Sequence, residues 1–123
     1  MVNEVLKTIE ERSSIRAYTN ERLTDEEIKT LITAALQAPT ARNMQEVHVS
    51  VVDGGNPILK EIDTECKLTM LATAPDEETK AKIESNPNNF YYSAPIVFIL
   101  SADKDFKWNK LDAGIAVENV ALA

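Results

Sequence analysis

A chain of 123 residues fits one domain with a modest core, and a net charge of −7 excludes a general affinity for nucleic acid or anionic membrane. Its 44% hydrophobic content is ordinary for a soluble globular protein, and no apolar run approaches the length needed to cross a bilayer. The start, Met-Val-Asn-Glu, lacks a basic segment followed by an apolar one, so no secretory signal is expected, and the lone Cys66 cannot form an internal disulfide, which points to a cytoplasmic location.

Val2, Val5, Leu6 and Ile9 follow the i, i+3, i+4, i+7 rule and predict a helix from about Val2 to Glu11. The polar string Arg12-Ser13-Ser14-Ile15-Arg16-Ala17-Tyr18 comes next. Thr24 and Glu27 then form a capping box, with Leu23 and Ile28 placed for a hydrophobic staple. Ile28, Leu31, Ile32, Ala35 and Leu36 line one face of the helix that follows, and Pro39 stops it. Acids at Asp25, Glu26 and Glu27 complement the helix dipole.

Val47–Val52 is β-branched at four of six positions and reads as a strand, broken by Gly54-Gly55-Asn56. Asn56 is placed to cap a helix whose first residue is Pro57, with Ile58, Leu59, Ile62 and Cys66 on its apolar side. The polar stretch after Thr73 accommodates a short surface helix near Asp76–Ser85. Ile96–Leu100 is an uninterrupted apolar run, as expected of a strand buried on both faces. From about Asn109 to the end the pattern is helical and apolar nearly all round, which calls for burial, and its small residues would let another backbone approach. Helix, helix, strand, helix, helix, strand, helix is an α+β layout, and two strands alone make a marginal sheet.

Two polar segments carry candidate chemistry. In an extended segment alternate residues point the same way, so Arg12, Ser14 and Arg16 share a face. Two guanidiniums and a hydroxyl there suit a phosphate through charge-assisted bonds. The competing description is a solvated turn whose arginines pair with neighbours such as Glu10 or Glu11. In Ala38-Pro39-Thr40-Ala41-Arg42-Asn43-Met44-Gln45, the side chains of Thr40, Asn43 and Gln45 both donate and accept, which suits the edge of a flavin ring. Its competing description is a helix stop whose polar groups cap the helix end. His48 has no nearby second metal ligand. Cys66 is expected to pack, and Phe106 and Trp108 to anchor the core or an interface edge. No Ser-His-Asp or Cys-His arrangement is present.

The string Arg12-x-Ser14-x-Arg16-x-Tyr18, a helix, then Ala38–Gln45 and a strand resembles the opening of the FMN-dependent nitroreductase family. Tyr91-Tyr92-Ser93-Ala94-Pro95 before the apolar run looks like the family's second strand region. Asp112–Ala123 looks like the start of its long central dimer helix. The similarity covers nearly the whole chain in order. It implies a nitroreductase-like fold, helices on a small sheet, dimerising through the C-terminal helix.

By position, the resemblance gives Arg12, Ser13, Ser14 and Arg16 to the FMN phosphate, ribityl chain and ring. It gives Pro39, Thr40, Ala41, Asn43 and Gln45 to the flavin contacts, and it supplies no catalytic side chain and no metal. The implied activity is reduction of nitroaromatic or quinone-type acceptors by NAD(P)H through FMN in a ping-pong hydride mechanism, by a homodimer with two sites at its interface. Glu46 and Val47 stand where the family often has Pro-Trp. In the family a further C-terminal portion adds strands, a glycine-containing segment near the reactive flavin nitrogen and a basic phosphate contact. The expectation is therefore a single nitroreductase-like domain over residues 1–123, truncated at its C-terminus. The alternative is a non-enzymatic family member acting as a dimerisation or flavin-binding module.

Overall fold

A computed structural model describes residues 3–123. In order they form α1 (Glu4–Glu11), α2 (Asp25–Leu36), a single 3-10 turn (Ala41–Asn43), β1 (His48–Asp53), α3 (Pro57–Thr73), α4 (Glu77–Ser85), β2 (Ile96–Ser101) and α5 (Asn109–Leu122). This is the expected α+β order, with β1 and β2 paired in a two-stranded sheet. Val2, the expected first residue of α1, lies outside the described residues. Among those described, no helix is long and apolar enough to cross a membrane.

Side-chain caps set four of the five helix starts. Asn3 accepts the Val5 N–H at 2.9 Å, Asn56 that of Ile58 at 3.0 Å, and Asp76 that of Thr79 at 2.7 Å. The Thr24–Glu27 box is complete. Thr24 Oγ1 accepts the Glu27 N–H at 3.2 Å, and the Glu27 carboxylate accepts the Thr24 N–H at 2.7 Å and its hydroxyl at 2.8 Å. The Thr24 backbone and then its hydroxyl hold the Glu27 carboxyl below its ordinary value of 4.5. A folded-state pKa below the unfolded one contributes stability above the unfolded value, and that contribution is lost as pH falls through the folded pKa. Thr24→Ala is therefore expected to cost about 1 kcal/mol at pH 7. The gap between variant and parent should narrow below pH 4.5, as read by urea unfolding at a series of pH values.

The chain divides into two compact units. The first comprises the described part of Met1–Ser14, Arg22–Val51 and Phe98–Ala123, and the second comprises Ile15–Glu21 and Val52–Val97. In the first, α2 packs on α5 through Ala35 and Ala116, which are 4% and 1% exposed. The Asn119 side-chain amide donates to the Ala34 carbonyl at 3.0 Å across that contact. In the second, α3 packs on α4, and Leu59 is fully buried. Truncating Leu59 to alanine is expected to cost about 2–5 kcal/mol in a denaturant titration.

Several apolar groups lie further out than their periodicity suggests. The α1 stripe of Val5, Leu6 and Ile9 is exposed, as is Leu36 of α2. Leu36 lines the edge of a cavity beside Ala35 and Ala116 and is left 61% exposed. Cys66 is exposed rather than packed: α3 buries only Leu59, in its first turn, and leaves Leu68 and Met70 outside as well. The run Ile96–Leu100 is half-buried instead of enclosed on both faces. In α5 only Asp112 and Ala116 are buried, while Leu111 and Val117 are exposed.

Candidate functional site

The Pro39–Gln45 loop is built on an unusual backbone. After α2 ends, Thr40 is extended (φ −122°, ψ 151°), and the turn Ala41–Asn43 is closed by the Asn43 N–H on the Thr40 carbonyl at 2.9 Å. Arg42, Asn43 and Gln45 then have φ of 56°, 54° and 56°. Left-handed backbone is uncommon in residues other than glycine and costs of order 1–3 kcal/mol each unless its surroundings over-determine it. Two contacts fix it here. Thr40 Oγ1 accepts the Gln45 N–H at 3.0 Å. Asp112, in the first turn of α5, accepts the Ala41 N–H on both carboxylate oxygens, at 3.2 and 3.1 Å.

Asp112 is 1% exposed. A buried carboxylate is costly without partners, and its position near the N-terminus of α5 places its charge at the favourable end of the helix dipole. The apolar pattern of Asn109–Leu122 calls for burial, and Asp112 is one of two acids inside it, the other being the exposed Glu118.

The loop borders a cavity of about 370 Å³ in the first unit. Ala35, Ala38 and Ala116 give it an apolar wall, and Thr40, Gln45 and His48 supply polar groups. Gln45 Nε2 donates to Asn43 Oδ1 at 3.3 Å, so the two amides are oriented by one another while both residues stay exposed. Thr40, Ala41, Asn43 and Gln45 are thus one connected element, and Pro39 precedes it on the surface. Glu46, the departure from the family pattern, is half-buried. His48 stands at the cavity without a metal cluster: no group of three or more His, Cys, Asp or Glu side chains comes together among the described residues.

The arginine-serine string has no regular structure and is exposed throughout. Arg12 closes α1, donating its N–H to the Thr8 carbonyl at 3.0 Å. Its Nε lies 3.2 Å from Glu118 Oε1, with the two side chains 37% and 51% exposed. The arginine therefore pairs with α5 and not with Glu10 or Glu11. Arg12, Ser13 and Ser14 belong to the first unit and Arg16 to the second, where it is exposed and enters no ion pair among the described residues.

The second unit carries a groove of about 570 Å³ between α3 and α4, lined by Asp63, Cys66, Lys67, Met70, Phe90 and Tyr92 among others. Asp63 accepts the Phe90 N–H there at 2.7 Å. No residue of the two polar strings lines it.

These features are a helix-capping arginine segment, a left-handed polar loop pinned from a later helix, and a small α+β framework. The chain belongs to the nitroreductase family, whose model matches residues 9–123. It is 32% identical to a nitroreductase with bound FMN from Desulfitobacterium hafniense, with a TM-score of 0.81, covering 99% of this chain and 64% of that one. It is 28% identical to an FMN-bound nitroreductase from Bacteroides fragilis, again with a TM-score of 0.81, covering 98% of this chain and 64% of the other. Over 51 residues it is 43% identical to a putative NADH dehydrogenase/NAD(P)H nitroreductase of Archaeoglobus fulgidus, a match covering 42% of this chain and 29% of that protein. The chain thus spans less than two thirds of the length of these relatives.

Proposed function

We propose that this protein is an FMN-dependent NAD(P)H oxidoreductase of the nitroreductase type, a single domain acting as a homodimer on nitroaromatic or quinone-type acceptors in a reducing, cytoplasmic compartment. The observation that carries the proposal is the Pro39–Gln45 loop, whose left-handed backbone aims a run of donors and acceptors outward from a fixed base. The residues fit the group. Thr40, Asn43 and Gln45 offer the alternating donors and acceptors that a flavin edge requires. Arg12, Ser13, Ser14 and Arg16 offer exposed cations and hydroxyls suited to a phosphate and a ribityl chain. Pro39 and Ala41 contribute backbone and shape. FMN, when bound, supplies the hydride chemistry, first accepting from NAD(P)H and then donating to the acceptor. The chain's own part is to hold, orient and shield.

A second copy is supported by the face of α5 that carries Leu111, Gly114 and Val117 at steps of three. Leu111 and Val117 are exposed, and a side chain added at Gly114 would meet nothing within 4 Å. The test is a visible absorption spectrum of the 123-residue chain after incubation with FMN and desalting. The proposal expects retained flavin bands that bleach anaerobically with NADH or NADPH and recover on adding a quinone. Retained bands without bleaching would reduce the protein to a flavin-holding module, and a colourless protein would overturn the proposal for this chain.

A further inference from the structure

We infer that Asp112 is a positioning residue that sets the cofactor loop by holding the Ala41 amide; the inference rests on the flavin reading above. An acid in the first turn of a helix ordinarily faces water, where it complements the dipole at no desolvation cost. Asp112 instead is 1% exposed and turned onto a loop 71 residues earlier in the chain. Its two oxygens share one amide hydrogen almost evenly, at 3.2 and 3.1 Å. Among the described residues the Ala41 amide is the hydrogen-bond partner of its carboxylate, and no buried side-chain polar atom is left unpartnered. A carboxylate placed this way costs more to bury than an apolar residue of its size, so its value lies in what it orients.

What it orients follows from the backbone. Holding the Ala41 N–H fixes the plane of the Thr40–Ala41 peptide. That plane leads on one side to the Thr40 hydroxyl, which receives the Gln45 N–H at 3.0 Å, and on the other into the left-handed Arg42 and Asn43. With the amide released, the three left-handed residues lose one of the two contacts that determine them. Asn43 and Gln45 then sample several directions, and a ligand must order them at its own cost. Asp112 thus acts through Ala41, and a substitution at either end of the bond should have the same effect.

The test is a double-mutant cycle on the 123-residue chain, with FMN affinity from a fluorescence titration and Ala41 amide exchange from NMR as the two readouts. Asp112→Asn keeps the shape and removes the charge and one of the two acceptors. Ala41→Pro removes the donor, and the extended Thr40 before it accommodates a proline. Each single variant is expected to bind FMN about tenfold more weakly, the weight of one hydrogen bond to a charged group. The double variant should be no weaker than the worse single one, because both remove the same contact. In Asp112→Asn the Ala41 amide should exchange about tenfold faster than in the parent. Leu59→Ala, a buried change in the other unit, should lower stability but leave FMN affinity within about twofold, separating positioning from general loosening.

Additive losses, or FMN binding by Asp112→Asn equal to the parent's, would overturn the inference while leaving the flavin reading intact. If Asp112→Asn does not fold, Ala41→Pro alone decides: affinity equal to the parent's overturns the inference, and a tenfold loss supports it. A parent chain with no affinity for FMN would overturn the flavin reading itself, a result distinct from every outcome among the variants.

Discussion

The Arg12→Ala/Arg16→Ala double variant is expected to bind FMN at least about a hundredfold more weakly than the parent chain. Each charge-assisted hydrogen bond is worth about 1.5–3 kcal/mol net, and two of them give a hundredfold or more even at the lower bound. Part of the Arg12 contribution is already engaged by Glu118 at 3.2 Å. That pair is exposed on both sides, and such pairs hold by only about 0–1 kcal/mol, so a phosphate dianion competes with it successfully. The loss should shrink as salt rises from 50 mM to 0.5 M, since exposed charges are screened over about 10 Å at 0.1 M. A fluorescence titration of FMN at several salt concentrations checks both points. Unchanged affinity in the double variant would remove the phosphate role from this string. If Arg16→Ala alone were silent, the role would be confined to Arg12 and its two serines.

The second large effect is structural. Gly54→Ala is expected to destabilise the protein by about 3 kcal/mol, lowering the thermal midpoint by roughly 10 °C. A methyl group on Gly54 would sit 2.1 Å from the Ala94 carbonyl oxygen and 3.1 Å from the carbonyl carbons of Ala94 and Pro95. These are backbone atoms that no rotamer change can clear. The Gly54 N–H donates to the Pro95 carbonyl at 2.8 Å, so the two segments cannot separate without breaking that bond. The requirement is one of close approach, since no glycine here has positive φ. Gly55→Ala is the matched control. Its methyl would meet only a side-chain atom, Asp53 Oδ1, at 3.2 Å, where a shift of a few tenths of an ångström suffices, and the expected cost is below about 1 kcal/mol. Equal midpoints for the two variants would refute the close-approach argument.

Local signals in the chain were read well because their physics is local. The Thr24–Glu27 box and Asn56 ahead of Pro57 each bring donor and acceptor together within three residues, and both caps form; Asp76, expected inside the surface helix, is instead its N-cap. The strand at β1 lies one residue later than its β-branched run, at His48–Asp53. Exposure was harder to read. Periodicity gives α1 an apolar face but cannot say whether anything covers it, and among the described residues Val5, Leu6 and Ile9 stay exposed. The same gap put Cys66 in a core that α3 does not build around it. In the candidate site, the polar loop was legible from its residue types. Its left-handed backbone was not, since Arg42 and Gln45 carry no glycine-like signature. The contacts of Asp112 and Glu118 leave no local signal for another reason: their partners are Ala41 and Arg12, far away in sequence.

That long separation also has a meaning in time. Ala41 and the carboxylate that holds it are 71 residues apart, and chains are synthesised at about 5–20 residues per second. The amide is therefore made about 4–14 s before its acceptor exists. Helices α3 and α4, whose contacts lie closer along the chain, can form within that interval. The polar loop cannot be set, because α5 has not yet been made. A ligand that needs the loop set by this contact accordingly binds only after α5 has been synthesised.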